Sequence, residues 1–195
     1  MNNVLAIFSP NKDKYIKQFI MDRNIKKVVI LCEKEDIQKL SIEFCPMYIC
    51  NINKLSNKMN KEYNEMLNII DKETLLIVYS CKLVYKYAKP VTRALLYTFR
   101  KQSGYRIICG ESLVMSNKYG DIFSLYFFLD PKIINANHYW CFAANHDEID
   151  VFDKVSIRKM QDPIYLARKI KPYTIFEFKA NNELESLISE VSCNE

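Results

Sequence analysis

A chain of 195 residues, 49% hydrophobic and 26% charged, is long enough to bury a core and too apolar to be a disordered polypeptide. Its net charge of +5 is modest, and three glycines in all cannot assemble the phosphate-cradling loops of Walker-type NTPases or of ordinary dinucleotide-binding enzymes. Its apolar runs fall far short of a membrane span.

From the amino end, Asn3 to Phe8 (NVLAIF) reads as a buried strand closed by Ser9-Pro10-Asn11, and Tyr15, Ile16, Phe19 and Ile20 recur at helical spacing. Lys27 to Cys32 (KVVILC) has the β-branched, wholly apolar character of a parallel strand covered on both faces. A short helical piece is expected around Asp36 to Ile42, then a strand over Met47 to Ile52. Leu55, Met59, Tyr63, Met66, Leu67 and Ile70 mark one stripe of an amphipathic helix. Thr74 to Tyr79 is the fourth strand, Pro90 to Gln102 a helix opened by proline, and Arg106 to Cys109 the fifth strand.

Strands alternating with helices predict an α/β fold: a Rossmann-like, mostly parallel sheet over residues 1–110 with helices on both faces. After Glu111 the rhythm turns strand-rich, with Ser112 to Met115, a turn over Asn117 to Gly120, Ile122 to Leu129 and His138 to Ala144. These are expected as an antiparallel C-terminal extension. Asp162-Pro163 caps a helix that Pro172 stops, Thr174 to Lys179 alternates like a strand, and Leu184, Leu187, Ile188 and Val191 make a last amphipathic helix. No linker splits the chain, so one domain is expected.

The window from Thr74 to Gly110 stands out by charge. Lys82, Lys86, Lys89, Arg93, Arg100, Lys101 and Arg106 are seven cations with no carboxylate among them, more than the whole net charge of the chain. Such a stripe suits an anionic nucleotide or nucleic-acid ligand. In an open parallel sheet, ligands collect beyond the carboxyl ends of the strands. The loop at Ser9 to Lys14 and the longer one at Ser80 to Lys89 would lie there. The second interleaves Lys82, Lys86 and Lys89 with Tyr85 and Tyr87, which suits phosphates paired with stacked bases. The competing structural reading is a kinked helix from Lys82 to Gln102, with Val84, Tyr87, Ala88, Val91 and Leu95 packed inward and the lysines solvated.

His138, Cys141 and His146 form HxxCxxxxH, but the spacing matches no structural zinc pattern, and a strand cysteine between two surface histidines is the simpler reading. Cys81, beside Lys82, is read as a buried thiol, and Cys45 and Cys50 as packing residues. Glu33, Glu35 and Asp36 could hold a ribose or a metal, or simply open the next helix. No signal peptide is read, the seven cysteines are odd in number and no CxxC occurs, so a reducing, cytoplasmic setting is expected. No cofactor and no membrane partner are expected.

The order strand, polar loop, helix, KVVILCEKED, helix, ETLLIVYSCKLVYK, helix, GYRIICG resembles the CRISPR-associated Rossmann fold (CARF) family over residues 1–110. The resemblance implies a homodimer in antiviral defence whose loops after strands one and four meet and bind a cyclic oligoadenylate, which some members cleave without metal. By position, Ser9, Asn11 and Lys12 fall on the first loop, and Ser80, Cys81 and Lys82 on the second. Family members typically carry glycine and threonine before the lysine of the second loop, whereas Ser80 and Cys81 stand here, and no effector domain is recognised in residues 111–195.

Three functions therefore stand open. The first is a binding or sensor module for a nucleotide or RNA-like anion, with Ser9, Asn11, Lys12, Ser80, Lys82, Tyr85, Lys86, Lys89 and Arg93 as ligand contacts. The second is a metal-independent phosphodiesterase, in which Lys82 stabilises developing charge and Ser9 or Ser80 orients the phosphate. The third is a structural or protein-interaction subunit using the abundant Tyr, Phe and Met. If the cysteines are packing residues, the protein purifies without stoichiometric zinc and shows no disulfide in non-reducing mass analysis. One tightly bound zinc per chain would overturn the reading of His138, Cys141 and His146.

Overall fold

The computed structural model describes residues 2–39, 46–85, 89–113, 120–146 and 162–190. Six strands, β1 (Val4–Phe8), β2 (Lys27–Cys32), β3 (Met47–Asn51), β4 (Thr74–Val78), β5 (Tyr105–Gly110) and β6 (Thr174–Phe176), form one sheet in the order β3-β2-β4-β5-β1-β6. Every pairing is parallel. The fold is thus α/β and Rossmann-like, but β1 lies between β5 and β6 instead of beside β2 as in the 3-2-1-4-5-6 order of dinucleotide-binding enzymes.

Side-chain alternation along the strands divides the core in two. On one face, Ile7, Val28, Ile30, Leu75, Ile77, Ile107 and Cys109 pack under Ile16, Phe19 and Ile20 of α1 (Lys12–Asp22). On the other, Ala6, Phe8, Val29, Leu31, Leu76, Val78 and Ile108 meet a larger cluster. It is supplied by α2 (Lys61–Ile69), α3 (Pro90–Ala94), the π-helical turn Leu95–Phe99 that leads into α4 (Arg100–Gln102), and the four later helices. The split follows from the crossovers: β1 to β2 runs one way across the sheet, while those entering β4, β5 and β6 run the other way, and right-handed connections then lie on opposite faces.

Among the described residues the expected antiparallel extension is not present. Ile122 to Leu129 lies within α5 (Gly120–Leu129), residues 138–144 fall at α6 (Tyr139–His146), and the strand that follows, β6, joins β1 in parallel. The reason is burial. Every residue from Asp121 to Leu129 is buried, so α5 has no solvated face to impose a helical period, and a short apolar run then looks the same in a helix as in a covered strand. Its aromatic content adds strand propensity that packing overrides. Ser112 and Leu113 belong to no strand, and residues 114–119 of that expected strand and turn lie outside the described residues.

Smaller departures have similar causes. The piece expected at Asp36 to Ile42 is a 3-10 helix over Lys34–Lys39, with residues 40–42 outside the described range. The stripe from Leu55 to Ile70 is shared between a 3-10 helix, Ile52–Ser56, and α2. At the carboxyl end, Asp162 accepts a hydrogen bond from the Tyr165 amide at 2.8 Å to cap α7 (Pro163–Ile170), and α8 spans Glu183–Glu190. Among the described residues, no helix is long and apolar enough to cross a membrane.

Two polar ties hold the sheet's margins. Glu185 of α8 is fully buried, and its carboxylate accepts from Ser112 Oγ at 2.6 Å, the Leu113 amide at 2.8 Å and the Asn181 amide at 2.8 Å. The last helix is thereby fixed to the segment that leaves β5. At the amino edge, Lys27 of β2 pairs with Asp71, which also accepts from Thr74 Oγ1 at 2.8 Å.

The Lys27 ammonium, and then the Thr74 hydroxyl, hold the Asp71 carboxyl down at about 2, against an ordinary 3.8. A carboxyl whose folded pKa lies below its unfolded value contributes stability above the unfolded value and loses it as pH falls through the folded one. The melting-temperature difference between the wild-type chain and Asp71→Asn is therefore constant near neutrality and closes between about pH 4 and about pH 2. Both side chains are partly exposed, so the difference corresponds to about 1 kcal/mol or less. Thermal melts across that range check it.

Candidate functional site

The strand after β2 lies on one side of it and the strand after β4 on the other, so the connections leaving these neighbours diverge at their carboxyl ends. Ligand crevices of open α/β sheets form at such a point. Here it is flanked by Glu33 and the 3-10 helix that carries Asp36 on one side, and by Tyr79, Ser80 and Lys82 on the other.

Lys12 joins this crevice to the loop after β1. It stands on the first turn of α1, and β5 separates its strand from β4. Its ammonium nonetheless spans the gap, 3.4 Å from the Tyr79 carbonyl oxygen and 3.7 Å from the Tyr79 ring centroid. The Tyr79 hydroxyl donates back to Asp13 Oδ1 at 3.0 Å. Burial and the nearby Asp13 carboxylate raise the pKa of this phenol, so it stays a donor. Lys12, on the first of the two expected loops, thus reaches Tyr79, the residue that precedes the second, within a single chain.

Close packing beneath them requires a glycine at the end of β5. A Cβ on Gly110 would stand 2.1 Å from Cys81 Sγ and 2.9 Å from Phe8 Cε1. Cys81 itself is fully buried, with Sγ 2.9 Å from the Tyr85 hydroxyl, and burial pushes its thiol up to about 12. That is the chemistry of a packing residue, since a nucleophilic cysteine needs the thiolate.

The other expected contacts divide sharply. Ser9 is buried, accepts a hydrogen bond from the Asn11 amide at 2.9 Å and donates to Glu177, the residue that follows β6. Tyr15 donates to the same carboxylate, and the two hydroxyls, Ser9 foremost, hold Glu177 below the usual carboxylate range. An internal anion thus already stands beside the first turn of α1. Lys82 is exposed and forms an ion pair with Glu111 at 3.0 Å, which raises its pKa. Lys89 and Arg93 are exposed on either side of the start of α3.

Tyr85 departs from the expectation of an open stacking platform. It is only 3% exposed, and its hydroxyl donates to the Ser112 carbonyl, so no ring face is left for a base. Lys86 and Tyr87 lie outside the described residues. The competing kinked helix is realised in part. Val84, Val91 and Leu95 are buried as it requires, yet the helix starts at Pro90 after an extended Lys89, and Lys82 sits in a separate 3-10 turn, Cys81–Leu83.

The seven-cation stripe is also dispersed. Arg106 lies at the amino end of β5, where Nε donates to the Leu129 carbonyl at 2.6 Å and Nη1 to those of Arg100 and Ser103 at 3.0 and 2.8 Å. Arg100 donates to the Leu96 carbonyl at 3.0 Å. Arg106 thus serves helix ends at the amino edge of the sheet, and Arg100 a carbonyl within its own helix.

His138 is drawn into capping, its Nδ1 accepting from the Cys141 amide at 3.2 Å at the start of α6. No group of three His, Cys, Asp or Glu among the described residues could hold a metal ion. Sequence reasoning missed Tyr79, Glu111 and Glu177. Tyr79 was visible as the polar-tipped aromatic closing the TLLIVY run, whereas the other two depend on strand order. No protein-family model matches the chain, and no curated protein matches it.

Proposed function

We propose that the carboxyl edge of the sheet is a binding surface for a nucleotide or oligonucleotide, and that the protein is a non-catalytic binding or sensor module. The observation that carries this reading is Lys12, whose contact with Tyr79 merges the loop after β1 with the Ser80–Lys82 loop at the divergence of β2 and β4. Lys12 and Lys82, with Lys89 and Arg93 at the neighbouring helix start, supply ammonium and guanidinium groups for phosphate oxygens. The Ser80 hydroxyl makes no capping bond, and in this reading it orients one of them. A buried, protonated Cys81 supports binding over nucleophilic chemistry.

A second reading, a protein-interaction subunit, is supported by a run of ring contacts from Tyr97 through Phe127, Phe123 and Tyr139 to Trp140, with centroid separations of 4.9 to 5.5 Å. Both ends of the run, Tyr97 and Trp140, are exposed. Aromatic residues of this kind are enriched in protein interfaces.

The distinguishing experiment is a salt-dependent titration of a short single-stranded oligoribonucleotide against wild-type protein and a Lys12→Ala, Lys82→Ala, Lys89→Ala triple variant, with thermal stability measured alongside. Each phosphate contact on a single strand contributes about 0.7 to the log-log salt slope, so the triple variant binds more weakly and its slope flattens by about 2. Unchanged affinity and slope in a folded triple variant would remove the carboxyl edge as the binding surface.

A further inference from the structure

A cavity of about 400 Å³ opens at the opposite, amino edge of the sheet, where Asn3, Gly104, Arg106, Asp130, Lys132 and Tyr173 contribute to its lining. That volume is in the range of small-molecule sites. Its floor is fixed by backbone pairing, since Val4 is in register with Arg106 and the Arg106 amide donates to the Asn3 carbonyl at 3.1 Å. One wall is equally rigid: a Cβ on Gly104 would lie 1.9 Å from the Lys72 carbonyl oxygen, so no side chain fits there.

The lining is rich in uncommitted donors. Nε and Nη1 of the half-buried Arg106 are spent on three backbone carbonyls, while among the described residues Nη2 has no hydrogen-bond partner. Nη2 thus remains available to a ligand acceptor at the cavity, and a hydrogen bond to a charged group is worth about 1.5–3 kcal/mol. Lys132 is exposed at the same cavity. Asp130 supplies the opposing charge: Oδ1 accepts from the Lys132 amide at 2.9 Å, and among the described residues Oδ2 accepts no hydrogen bond.

Arg106 and Lys132 against Asp130 leave one net positive charge, which a monoanion neutralises and a dianion overshoots. A planar carboxylate suits the remaining edge of a guanidinium, and Asp130 suits a donor on the same ligand. We infer that this cavity binds a small hydroxycarboxylate, its carboxylate on Arg106 and Lys132 and its hydroxyl on Asp130. The site is separate from the carboxyl-edge surface and stands whether or not that surface binds nucleotides.

Titrations of glycolate, acetate and inorganic phosphate into the isotopically labelled full chain, followed by amide resonances, test it. Saturable shifts are expected at Val4, Gly104, Arg106 and Tyr173, with glycolate binding about tenfold more tightly than acetate, the worth of one hydrogen bond to a charged group. Lys132→Ala, at an exposed position, weakens both acids about tenfold while the spectrum stays that of the folded chain. Asp130→Asn keeps its Oδ1 and abolishes the preference for glycolate. Absence of saturable shifts at these amides, tighter binding of phosphate than of glycolate, or an equal response to acetate and glycolate in wild-type protein would each overturn the inference. Because the reporter amides lie at the opposite edge from Ser80 and Lys82, failure here is distinct from failure of the nucleotide reading.

Discussion

One guanidinium organises the amino edge of this protein. Arg106 is the second residue of β5, a strand that receives α4 and gives rise to α5, and its donors meet carbonyls at the carboxyl ends of both helices. The last carbonyls of a helix have no intrahelical partners and carry the negative end of its dipole. A charge-assisted donor there satisfies them and favours the same charge twice. Burial pushes the guanidinium down to about 10, and the neighbouring Arg100 adds to the effect, so it remains a cation at neutral pH. Two consecutive helices on one face of the sheet are thus anchored to a single residue of its interior. The same residue also lines the polar cavity at that edge.

The opposite edge is governed by strand order. With β1 inserted between β5 and β6, the first turn of α1 stands one strand away from the end of β4, and a lysine is long enough to close that distance. In the usual dinucleotide-binding order β1 and β4 are adjacent and no such span arises. The same insertion brings Glu177, beyond β6, against Ser9 and Tyr15, so that a carboxylate of the chain itself occupies the place where the loop after β1 would otherwise face solvent. The cations flanking the site are therefore Lys12 and Lys82, while Ser9 is committed to Glu177.

The strands and helices up to β5 were legible because each carries its own local signature, as in KVVILC and in the proline that opens α3. α5 was not, since total burial erases the contrast between faces on which periodicity depends. Strand order left no local trace either. The candidate site was legible as two loops, and the structure places them on one edge. Its interior was not: Tyr85 and Arg106 look like stacking and phosphate-binding residues in sequence, yet both are turned inward by carbonyls remote in the chain, those of Ser112 and Leu129. A cation's role depends on what it faces, and only tertiary structure fixes that.

Arg106 is the anchor of the amino edge, and native-state amide hydrogen exchange on Arg106→Met, with its thermal melt, is the measurement that tests this most directly. Methionine keeps much of the side-chain bulk and removes every donor. Three carbonyls then lose hydrogen bonds to a charged group, each worth about 1.5–3 kcal/mol. The melting temperature is expected to fall by at least about 6 °C for a chain of this size, with protection lost first at the carboxyl ends of α4 and α5. A variant that melts with the wild-type chain and keeps its protection at both helix ends would contradict it.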